Sequence, residues 1–237
     1  GDFNNNVAFT TLNITAGTDD STNDDEHATA TVSGNLTGTT IALIDADDDG
    51  TSTLTLDSLT AAQTISAAIT ASEDGFGNVT VSNTGGTVTF SETIGSHSTD
   101  LSVGTVSLAA DSTTVFNKAV DSKAITATTT ASSTFNAAVT NSGAITTGVG
   151  STTVFDSTVS SATLSNSGAM TLKGAVTLTG VLTTGNGSTI TLGTAFKDGG
   201  ATAITAANST SGLNQTGGAV TVNVSNQFTT GTVVLLE

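Results

Sequence analysis

The residues best suited to chemistry lie in one short stretch, "IALIDADDDGTSTLTL" (41–56). Asp45, Asp47 and Asp49 alternate, and Gly50 follows. Alternate carboxylates in a tight turn can converge on one hard cation, and a glycine permits the bend. The stretch thus matches the first half of a D-x-D-x-D-G calcium loop. Its second half does not match. The calcium loop of a helix–loop–helix sensor ends on a bidentate Glu; this chain has Leu56 there, then Asp57. The flanks "IALI" and "TLTL" read as strands. Two readings stay open. One is a calcium-bound turn between strands, with ligands from Asp45, Asp47, Asp49, the Thr51 carbonyl and Asp57. The other is a solvated acidic turn. Four carboxylates within residues 45–49 repel one another unless a cation screens them. Calcium is therefore the one cofactor expected.

Other candidate sites are weaker. "GTDDSTNDDEH" (17–27) is a charge block, the signature of a mobile acidic loop. "SEDGFGN" (72–78) reads as a turn, with Glu73 and Asp74 as lesser ligand candidates. His27 and His97 lack the spacing of a zinc site. There is no cysteine, hence no disulfide or thiolate. Nucleophile-elbow and phosphate-loop sequences are absent. The chain has no Arg, Trp or Tyr for a polysaccharide-cleaving cleft, although paired acids alone could hydrolyse a glycoside. The expectation is a protein that is not an enzyme. Asn-x-Ser/Thr acceptors occur at seven positions, Asn13 and Asn186 among them, as expected by chance in a chain so rich in Ser and Thr.

Charge sets the partners. The net charge is −16, with 20 acids against 4 lysines. Residues 1–60 hold eleven acids and no lysine; residues 118–237 hold all four lysines against four acids. An acidic chain without arginine has no footprint for nucleic acid and is repelled by anionic membranes. No apolar run approaches the ~20 residues of a spanning helix. Cations are the natural partners. The chain opens on "GDFNNN" without Met, which fits a removed leader or a piece of something longer.

The elements that position these residues are strands. Threonine is the commonest residue and proline is absent, a composition that suits pleated, half-buried surfaces. "TTVFNKAVDSKAIT" (113–126), "STFNAAVTNSGAIT" (133–146) and "TVFDSTVSSATLS" (153–165) repeat one pattern. Phe116, Phe135 and Phe155 lie 19 and 20 residues apart, each with a Val four residues on. Short alternating runs between Gly, Asn, Asp and Ser turns, at this period, predict an all-β parallel β-solenoid with coils of ~19–20 residues. Some ten to twelve coils would fit the chain, a rod on the order of 50 Å. The repeat is clearest over 86–196, within a solenoid assigned to 61–237. Residues 1–60 are expected to form an acidic, irregular β segment or cap. The run "SLTAAQTISAAIT" (58–70) fits a strand better than a helix. Thr-x-Thr runs, as on ice-binding faces, are present, but they do not recur at a constant position in the repeat as read from sequence.

The degenerate "FN-x-AV" coils resemble the repeat regions of large prokaryotic surface proteins: β-solenoid adhesins, autotransporter passengers, and some S-layer or filament subunits. The resemblance covers about half the chain and concerns architecture. It implies an extracellular, cell-surface, structural or adhesive role. The expected function is a self-assembling filament or surface-layer protein, with calcium as its stabiliser, growing head to tail as a homo-oligomer. A segment of a large adhesin is the alternative. A polysaccharide-active or ice-binding solenoid comes third.

Overall fold

The computed structural model describes residues 1–17, 27–46, 50–96, 99, 101–193, 204–206, 213–216, 219 and 221–224. Among these, every pairing between strands is parallel, and the strands fall into two sheets of 12 and 11. The chain visits them in turn. Strand Thr113–Phe116 lies in one sheet, Val120–Ala127 in the other, Ser132–Phe135 in the first again. Each revolution stacks on the last, so the fold is a parallel β-solenoid. Successive side chains of a strand point to opposite faces, and the burial alternates accordingly, as in Gln63–Ala71. That segment, "QTISAAITA", is thus a strand.

The interior is a set of columns, because in-register stacking brings like positions together. One column runs Val7, Leu36, Ile65, Phe90, Phe116, Phe135, Phe155, Leu172 and Leu192, and the backbone of Val224 is next in register. Ten rungs at ~4.8 Å make a stack roughly 45 Å deep. Its four phenylalanines are stacked, with ring centroids 5.0, 4.5 and 5.0 Å apart and planes within 16° of parallel. A second column runs Leu12, Ile41, Ile69, Ile94, Val120, Val139, Val159, Val176 and Ile204. These rungs extend from the first coil onward. The acidic residues 1–60 contribute strands Asp2–Phe3 through Thr51–Leu56 to the same two sheets.

Buried polar residues form columns of their own. Asn141 donates to Ser122 Oγ at 3.2 Å, and Ser161 Oγ donates to Asn141 Oδ1 at 3.2 Å. This column sits where Val120–Ala127 and Val139–Thr147 bend and their register slips. The bend frees backbone groups, and the buried amide and hydroxyls satisfy such groups: Ser161 Oγ also lies 3.1 Å from the Gly143 carbonyl and 2.9 Å from that of Thr163.

The coil length varies. The steps from Phe116 to Phe135 and on to Phe155 are those of the sequence repeat. Upstream, the steps from Leu36 to Ile65, to Phe90 and to Phe116 are each longer by at least five residues. Downstream, the step from Phe155 to Leu172 is the shortest of the column, and that from Leu192 to Val224 the longest. The period legible in the sequence is therefore local to the middle of the chain. Much of the upstream excess enters at one corner, between the strand holding the second column and the strand of the opposite sheet.

The outer faces carry hydroxyls. Thr31, Thr55, Thr80, Ser107, Thr126, Thr146, Ser165 and Thr183 form one continuous outward column. Thr29, Thr53, Asn78 and Thr105 stand two residues before its first four members. The pairs Thr29 with Thr31 and Thr53 with Thr55 thus do share a coil position, and Thr105 with Ser107 repeats it, contrary to the reading from sequence. Unequal insertions between coils hide the shared position until the register is known.

Candidate functional site

The corner with the insertions is the candidate site. Strand Leu36–Asp45 ends on Asp45, whose register partner is Ala16, the last residue of Thr11–Ala16. The following coil arrives beside it: the Asp45 backbone amide donates to Ser72 Oγ at 3.0 Å, and the Ser72 amide to the Leu43 carbonyl at 2.9 Å. On the return side, His27 pairs with Thr51. So segments 17–27, 46–50 and 72–77 leave and rejoin the solenoid at neighbouring rungs of one corner. These are the three most acidic stretches of the sequence. The sequence shows three separate acidic turns, and the topology stacks their anchors.

Of the five predicted ligands, Asp45 and Thr51 stand at this corner, at the end of one strand and the start of the next. Asp47 and Asp49 lie outside the described residues. Asp57 is placed elsewhere. It follows strand Thr51–Leu56, and its amide donates to the Val32 carbonyl at 2.9 Å. Six extended residues carry it about 20 Å from Thr51, to the other end of the strand. Asp57 therefore does not share the corner with Asp45 and Thr51. Among the described residues, no three His, Asp or Glu side chains are grouped to hold a metal.

Glu73 and Asp74 belong to the same corner one coil on. Asp74 Oδ1 accepts from the Ser102 hydroxyl and, at 3.3 Å, from the Ser102 amide. Lys123, from a coil further along, donates to the Asp74 carbonyl oxygen at 2.8 Å and lies 3.6 Å from its carboxylate. Gly75 makes this approach possible. It has φ of 78°, and a Cβ there would collide with the Lys123 side chain. The loop is thereby latched across coils by one hydroxyl and one ammonium. These contacts, the Ser102 hydroxyl first and Lys123 after it, hold the Asp74 carboxyl below its ordinary value. The sign follows. A carboxyl depressed by folding contributes stability above its unfolded value, and that stability fades as pH falls through the depressed one. Ser102→Ala is expected to raise the Asp74 midpoint towards the ordinary carboxylate range. A carboxyl-carbon NMR titration reads it; an unchanged midpoint would show that the hydroxyl is not the cause.

In the coils of Val120–Ala127, Val139–Thr147 and Val159–Asn166 the corner closes to tight bends, with Gly143 against the Lys123 carbonyl. Among the described residues Asp45, Glu73 and Asp74 stand at this corner in the early coils, and Lys123 reaches Asp74 from a later one.

The class of protein that this fold defines is the parallel β-solenoid. No protein-family model, curated protein or solved structure matches the chain.

Proposed function

We propose that the protein is an extracellular structural rod, a solenoid segment of a cell-surface filament, layer or adhesin, that extends by coil-on-coil stacking. The observation that carries this reading is the uninterrupted pair of parallel sheets. Interior coils satisfy their backbone through their neighbours, whereas a terminal coil cannot. Among the described residues, Thr11–Ala16 pairs only with Leu36–Asp45, and Asp2–Phe3 only with His27–Val32. Among the described residues no strand pairs with their outer edges, and an unpaired edge is a template for another strand. Phe3, Leu12 and Ala28 are only partly buried there, and with Ile14 they line an open cavity of about 200 Å³ at the end of the interior columns. The natural occupant is another coil, from a longer form of the same chain or from a second copy. Head-to-tail contacts of this kind give open filaments when rotation does not close them.

Calcium is part of the proposal. Cations at this corner would relieve repulsion between segments of like charge that are anchored on neighbouring rungs. Electron microscopy of the protein with calcium and after chelation tests both ideas. Ordered rods with calcium and shorter or fewer ones after chelation are expected. Dispersed monomers in both conditions sink assembly; rods that ignore chelation sink the calcium role alone.

The outward hydroxyl column favours a second reading, an ice-binding face. Thermal hysteresis would support it, and its absence at high protein concentration would remove it.

A further inference from the structure

A notch interrupts the surface of the rod, and its cause is visible in the register. Thr152 pairs with Ala169, a step three residues shorter than those from Ser132 to Thr152 and from Ala169 to Thr189. The shortening falls partly in a turn. Between Val139–Thr147 and Thr152–Phe155 the chain spends residues 148–151; between Val159–Asn166 and Ala169–Leu172 it spends only Ser167 and Gly168. The next turn, 186–188, is longer again. A short turn between two longer ones leaves a gap two strand spacings wide, about 10 Å. Its volume is about 370 Å³, within the ~300–1,000 Å³ of small-molecule sites.

The lining has a definite chemistry. Val149 stands at the notch with 66% of its surface exposed, one of three large apolar residues so exposed among the described residues. Ser167 and Asn186 face the same space, and neither side chain has a hydrogen-bond partner among the described residues. At two equivalent turns the serine is engaged, since Ser112 and Ser151 each close their own turn at 2.7 Å, on the Ala109 and Gly148 carbonyls; at 186–188 the Ser188 hydroxyl is buried with no partner among the described residues. Thr152 and Thr189 add hydroxyls at the sides, and no lining residue is ionisable. An amide and hydroxyls that can both donate and accept, around one exposed aliphatic group, suit a ligand with hydroxyls on its rim and C–H groups on its face.

The geometry points to a binding site for one neutral sugar residue in this notch, held by Asn186 and Ser167 and packed on Val149. This goes beyond the rod reading and does not depend on assembly.

The test is an amide NMR titration of the whole chain with methyl glycosides of glucose, galactose and N-acetylglucosamine, and with glucuronic acid as a charged control. Saturable shifts confined to residues 149–152, 167–169 and 186–189 are expected for at least one neutral glycoside. Asn186→Ala should weaken them roughly three- to tenfold, the loss of one or two hydrogen bonds. A second variant inserts Gly-Val after Ser167 to restore a four-residue turn and fill the notch; it should abolish the shifts while the stacked-phenylalanine resonances stay in place. Absence of saturable shifts for all three glycosides overturns the proposal. So do shifts that survive both variants, or equal binding of glucuronic acid.

Discussion

Phe135→Ala is expected to cost about 3–5 kcal/mol, the range for emptying an aromatic site in a packed core. Phe135 is 1% exposed and lies between Phe116 and Phe155, with ring centroids 4.5 and 5.0 Å away. Removing it strips one face from each neighbour, because rungs a strand spacing apart cannot close over the gap without bending two sheets. The cavity term therefore adds to the lost burial. Phe135→Leu should cost clearly less, since leucine already fills this column at Leu36, Leu172 and Leu192. Thr134→Ala, one residue away on the outer face, should stay within about 0.5 kcal/mol. Denaturant midpoints of the three variants check the order. Equal losses for Phe135→Ala and Thr134→Ala would contradict the inward column.

The second large effect comes from removing chain rather than a side chain. Deleting residues 132–151 joins Ala131 to Thr152, which is the register partner of Ser132. Every column then closes by one rung: Phe155 meets Phe116, Val159 meets Val120, and Ser161 meets Ser122. In a quasi-one-dimensional fold each repeat contacts only its neighbours. The shortened chain is expected to keep its β signal and cooperative unfolding, with a loss on the order of one coil's share of the stability. Deleting only 132–141 removes the first half of the same coil. The chain then reaches strand positions in the wrong sheet, and a slip of register turns core residues to solvent. That variant should lose its cooperative transition. Circular dichroism and thermal melts distinguish the two. Equal tolerance, or equal collapse, contradicts the stacking.

The middle of the fold is legible in the sequence because its coils are nearly equal. Phe116, Phe135 and Phe155, each followed by a valine, give both the period and two of the interior columns. The early coils obey the same columns, yet their register is hidden. Insertions at the acidic corner lengthen each revolution by a different amount, so Ile65, Phe90 and Phe116 follow no repeat that the eye can extend. The hydroxyl column is hidden for the same reason. Its members, such as Thr55, Thr80 and Ser107, share a position only in space.

The candidate site is half legible. The alternating aspartates mark a turn between strands, and that is where Asp45 and Thr51 stand. That the anchors of this turn lie beside those of 17–27 and 72–77 depends on topology, which no local pattern contains. Asp57 is close to the others in sequence alone. The alternation of "TSTLTL" already implies an extended strand, and an extended strand carries its ends far apart. The notch requires register too: a short step between two longer ones becomes visible only once Phe155 is paired with Leu172.

Extension of the solenoid through its open end is tested most directly by sedimentation velocity of the Leu12→Lys variant. Leu12 heads the second interior column at the bare edge. An inward-pointing charge there blocks stacking while leaving deeper rungs in place. The unmodified chain should sediment as a series of end-to-end species that grows with concentration, and the variant as a folded monomer at every concentration. A single species for both chains, or the same series for both, would contradict it.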